Sequence, residues 1–68
     1  MKIKELYAFV VTDRRGVEGV LRRVTPIGTQ PMIADCLGRL DAFRADAVAE
    51  ARAMELPLSV ARFVRAEE

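Results

Sequence analysis

Hydrophobic and polar positions alternate in three different rhythms along this chain, and each rhythm predicts an element. Leu6-Tyr-Ala-Phe-Val-Val-Thr12 is a run of aromatic and β-branched residues, the composition of a strand. Asp13-Arg-Arg-Gly16 breaks it: Asp suits the first position of a turn, and Gly16 admits the positive φ that closes one. Val17–Thr25 then predicts a returning strand, with Gly19 marking a bulge or a close backbone approach. The prolines and glycine of Pro26–Pro31 predict a loop, and Met32-Ile33 a brief third strand. From Asp35, an N-cap residue type, to Glu55 the rhythm becomes helical. Cys36, Leu37, Leu40, Phe43, Ala47, Ala51 and Met54 fall on one stripe, while Arg39, Asp46, Glu50 and Arg52 lie off it. Leu56-Pro57 ends the helix, and Leu58–Arg65 predicts a last strand.

These elements make a small α+β domain of order β-β-(β)-α-β: a three- to four-stranded mixed sheet with one helix packed on one face. A strand that follows a helix ordinarily crosses back to lie parallel to an earlier one. The last strand is therefore expected beside the first, in the order 3-2-1-4. The first strand is apolar on both sides, with Tyr7, Phe9 and Val11 pointing one way and Leu6, Ala8 and Val10 the other. One helix covers one face, so the second face should present an apolar surface, and such surfaces mark interaction sites. Leu6, Val10, Leu58, Val60 and Val64 are the expected oligomer interface, through sheet-on-sheet packing or the pairing of a free edge. The alternative is a monomer in which loop 26–33 folds across the open face.

Composition narrows the function classes. Sixty-eight residues, 51% of them hydrophobic, build one core and one domain over 1–68. With one cysteine and no histidine, neither an intramolecular disulfide nor an ordinary zinc site can staple so small a fold, which leaves oligomerisation as the readiest source of extra burial. The apolar run 6–11 is too short for a signal peptide or a membrane span, so a cytoplasmic, membrane-free protein is expected. A net charge of +1 provides no field to steer nucleic acid, and the four aromatics are mostly expected in the core rather than on a base-stacking surface.

Candidate chemistry is sparse. Without histidine there is no Ser-His-Asp or Cys-His arrangement, and the helix carboxylates are dispersed, so no catalytic residue, metal site or cofactor is expected. Cys36 lies on the apolar stripe and reads as a buried structural cysteine. Nine of the eleven basic residues are Arg, the side chain suited to bidentate recognition of phosphate and carboxylate. If the helix covers the face bearing Phe9 and Phe63, Arg62 falls on the open face among Leu58, Val60 and Val64. Arg22 or Arg23 could join it there, with Thr25 and Thr29 of the loop supplying hydroxyls. That set would bind a nucleotide or another phosphate-bearing ligand.

The opening Glu5-Leu-Tyr-Ala-Phe-Val10, with Asp13-Arg-Arg-Gly-Val-Glu-Gly-Val20 and the closing Leu56-Pro-Leu-Ser-Val-Ala-Arg-Phe63, resembles short bacterial and phage proteins of no assigned activity. The resemblance implies the same small fold and a mobile-element origin, a setting in which chains of this size inhibit or sequester host proteins. The sequence thus predicts a non-catalytic binding protein, homo-oligomeric, that engages a host protein. The competing expectation is a sequestering protein for a small ligand or nucleotide.

Overall fold

The computed structural model describes residues 2–66. Six strands and one interrupted helix follow in the order β1 (Glu5–Thr12), β2 (Glu18–Val20), β3 (Arg22–Thr25), β4 (Gly28–Pro31), β5 (Ile33–Ala34), α1 (Leu37–Leu40), α2 (Arg44–Met54) and β6 (Leu58–Val64). A 3₁₀ turn, Asp41–Phe43, joins the two helical pieces. The protein is a small α+β domain in which one helical segment packs on a sheet centred on β1. No described helix is long and apolar enough to cross a membrane.

The β1–β2 turn forms as its residues dictate. The Asp13 carboxylate accepts hydrogen bonds from the backbone N–H groups of Arg15 and Val17 at 2.8 and 2.9 Å, and Gly16 takes a φ of 83°. The second strand is not continuous, however. After Val20 the chain leaves β1, runs out and back as the two-stranded hairpin β3–β4, and rejoins β1 as β5. Pro26 and Ile27 form the hairpin tip. The junction is closed by three backbone hydrogen bonds running in a ring: Leu21 N–H to Phe9 O, Met32 N–H to Leu21 O, and Phe9 N–H to Met32 O, at 2.9–3.1 Å. The side chains of all three residues are buried, so the place where three strands part is also the centre of the core. Gly19 forms neither a bulge nor a close approach: its register with Val11 is unbroken and the space above it is open.

The last strand departs from expectation. β6 runs antiparallel to β1, with Glu5 opposite Val64, Ala8 opposite Ala61 and Val11 opposite Leu58. The parallel relation that a helical crossover favours holds instead between β5 and β6, each antiparallel to β1 and lying on opposite sides of it. Order 3-2-1-4 is thereby corrected: β2 and β5 share one side of β1, and β6 takes the other.

Leu40, Ala47 and Ala51 of the helical segment pack with Phe9, Val11, Leu21 and Met32. Small residues in α2 let the helix approach the sheet closely. The rest of the predicted stripe fades at its ends: Leu37 and Met54 are about half exposed. Cys36 is the N-cap of α1 and exposed, not a buried structural cysteine. The helix ends on Glu55 in the left-handed conformation (φ 56°, ψ 40°). There Leu56 N–H reaches Ala51 O and Glu55 N–H reaches Arg52 O, a Schellman closure made without glycine.

Candidate functional site

Residues paired across an antiparallel ladder point to the same face, so the registers sort every strand side chain. One face carries Tyr7, Phe9 and Val11 with Leu58, Val60, Arg62 and Val64. The helix lies on this side, since Phe9 and Val11 cluster with Leu40, Ala47 and Ala51, and the Arg44 guanidinium sits 5.5 Å over the Phe9 ring. The other face carries Leu6, Ala8, Val10 and Thr12 of β1, Glu18 and Val20 of β2, Ile33 of β5, and Ser59, Ala61 and Phe63 of β6. None of these belongs to the helix-side core. Seven of the ten are apolar; Ser59 is polar, and Thr12 and Glu18 pair with each other at the turn end of the face.

This second face is shaped as well as apolar. Ala8 lies at its middle, hemmed by Ile33 and Ala61 in register and by Leu6 and Val10 along its own strand, and is fully buried. Val10 is only 2% exposed, between Val20 and Ser59. The rim is accessible: Val20 is 39% and Phe63 51% exposed. A shallow apolar trough results, floored by Ala8 and Val10 and edged by larger side chains.

The expected interface set divides accordingly. Leu6 and Val10 lie on the open face, Val10 as floor rather than contact surface. Leu58, Val60 and Val64 lie on the helix side, where Leu58 packs against the core and Val60 and Val64 remain exposed. This is a correction, and its cause is the antiparallel register, which pairs Phe63 with Leu6 and so moves it off Phe9's face. Val20, Ile33, Ala61 and Phe63 are the residues that sequence reasoning missed. Only the register identifies them, because sharing a face with Leu6, Ala8 and Val10 depends on which residue of each partner strand lies opposite.

The arginine set is not assembled. Arg62 lies on the helix-side face, not the open one, and its Nε donates to a Glu5 carboxylate oxygen at 2.6 Å. The Arg62 guanidinium, and secondarily the Tyr7 hydroxyl that donates to Glu5 at 2.9 Å, hold the Glu5 carboxyl below its ordinary pKa; Glu5 in turn raises those of Tyr7 and Arg62. Arg22, Arg23, Thr25 and Thr29 lie on the hairpin, which leaves the opposite side of β1. Arg22 Nη1 reaches Thr29 Oγ1 at 3.4 Å, and the Thr25 hydroxyl donates to Gly28 O at 2.9 Å. Arg23 sits 5.2 Å over the Phe43 ring and 3.6 Å from Asp46. The cleft beside Arg23, about 360 Å³, is also lined by Asp46 and Glu50, carboxylates that would repel a phosphate. The same contacts draw the hairpin toward the helix, so loop 26–33 does not fold across the open face.

Neither protein-family models, curated proteins nor solved structures gave a match to this chain.

Proposed function

We infer that this is a non-catalytic binding protein, homo-oligomeric, whose uncovered sheet face occupies an apolar surface of a partner protein. One observation carries the reading: seven of the ten side chains on that face are apolar, with Thr12 and Glu18 confined to its turn end, and the single helical segment packs on the other side. A sheet face left to water normally alternates toward polar residues. Here Val20, Ile33, Ala61 and Phe63 fill positions that folding does not require to be apolar. An apolar trough with an accessible rim suits a hydrophobic side-chain cluster better than a charged ligand. The same face suits the inhibition or sequestering of a host protein by steric occupation.

Site-specific photo-cross-linking in the producing cell tests this. A photoreactive amino acid at Val20 should give defined adducts with another protein chain, whereas the same group at Glu50, on the exposed side of α2, should give none. Equal labelling from both positions, or none from Val20, would overturn the reading.

A further inference from the structure

We propose that two copies of this chain join edge to edge through β6, as an antiparallel pair with Ala61 on the two-fold axis. The proposal rests on the self-association in the reading above and specifies how it occurs.

The two sides of the sheet differ in what they offer a second copy. On one side β2 and β5 are three and two residues long, and the hairpin interrupts them. On the other, β6 runs seven residues, without Pro or Gly, and among the described residues its outer edge is free. Its hydrogen-bond phase follows from the bonds that flank it. Thr12 N–H donates to Pro57 O and Arg65 N–H to Lys4 O, so odd-numbered residues of β6 turn their backbone groups toward β1. Leu58, Val60, Arg62 and Val64 turn theirs outward. Among the described residues, none of these four backbones has a hydrogen-bond partner outside the strand ladder. Unpaired groups in a row are a template for another strand.

Of the registers that keep outward-facing residues opposite one another, the three centred on Val60, Ala61 and Arg62 pair the most of them. With Val60 opposite Val60 of the second copy, Val64 is left over. Centring on Arg62 sets two guanidinium groups directly opposite and leaves Leu58 unpaired. With Ala61 on the axis, Leu58 meets Val64 and Val60 meets Arg62, and all four outward-facing residues of each copy are paired. In this register the smallest side chain of β6 falls at the axis, where a non-hydrogen-bonded pair brings Cα atoms closest, about 4.5 Å apart. The charge that would ordinarily guard such an edge is turned away from it. Arg62 reaches back over β1 to Glu5 and is neutralised there. Exposed Val60, Phe63 and Val64 gain neighbours from the second copy. Because paired residues share a face, the two open faces join on one side into a single apolar surface.

Sedimentation equilibrium and oxidative cross-linking test this together. Wild type should sediment as a dimer. Val60→Pro removes an outward N–H that β1 does not use, and should give a folded monomer by circular dichroism. In a Cys36→Ser background, Ala61→Cys should form a disulfide dimer under copper-phenanthroline, while Ser59→Cys, four residues out of register with its own copy, should not. A wild-type dimer indifferent to Val60→Pro, or one in which Ser59→Cys links and Ala61→Cys does not, would overturn the edge pairing while leaving self-association standing. A monomeric wild type would remove both. Failure of Val20 cross-linking to another protein would remove the face reading without touching the edge pair. If Val60→Pro does not fold, the cysteine pair decides alone.

Discussion

The two faces of β1 are built from similar residues and stand in different surroundings. Phe9 and Val11 point under the helix and, with Leu21, Met32 and Leu40, supply the buried volume that holds the fold. Leu6, Ala8 and Val10 point the other way into a trough whose accessible rim is Val20 and Phe63. Hydrophobicity alone does not separate a face that the fold covers from one that it leaves open.

The largest expected effects lie on the covered face. Phe9 is 1% exposed and lies in the ring of hydrogen bonds where β1, β2 and β5 meet. Phe9→Ala should cost about 3–5 kcal/mol in urea unfolding, most of the stability of a domain this small, and leave it largely unfolded. Met32→Ala, at the same junction and equally buried, should cost about 2–5 kcal/mol. A loss below 1 kcal/mol at either position would mean that the core lies elsewhere.

Smaller effects are expected at the hairpin, the helix end and Glu5. Arg23 ties the hairpin to the helix through the Phe43 ring and Asp46, both contacts partly exposed. Arg23→Ala should cost about 1 kcal/mol or less and speed amide exchange in β3 and β4 rather than in β1. Glu55→Gly should stabilise by about 0.5–1 kcal/mol, since glycine relieves the left-handed strain at the helix end but gives back part of the gain through unfolded-chain entropy. Glu5 gives a pH signature. Its folded-state pKa is lowered, so its contribution is present above the unfolded value and is lost as pH falls through the folded value. Wild type should therefore lose melting temperature on acidification through the carboxylate range, and Glu5→Gln should lose less; parallel melting curves for the two would contradict the Glu5–Arg62 pairing.

Much of this fold is legible in the sequence because local chemistry decides it. Asp13 and Gly16 specify their turn, Pro57 follows a helix that ends where Ala-rich periodicity stops, and the β1 run admits no other element. What escapes is what depends on distant pairing. Nothing in Val17–Thr25 says that the chain will leave β1 after Val20 and return at Met32, since Arg22–Thr25 is as good a strand paired with β4 as with β1. The register of β6 is equally invisible locally, and a shift of one residue would move Phe63 from one face to the other. The doubly apolar centre of the sheet was readable, therefore, but the membership of its open face was not.

The open face is proposed to be apolar for binding rather than for folding. The double variant Val20→Thr/Phe63→Thr puts it to one comparison, chemical unfolding with photo-cross-linking from Ile33 on the same protein. The account predicts that stability stays within about 1 kcal/mol of wild type, because both residues are substantially exposed, while the Ile33 adducts with another protein disappear. A variant destabilised by several kcal/mol whose Ile33 adducts persist would show that this face serves the fold, and would contradict the account.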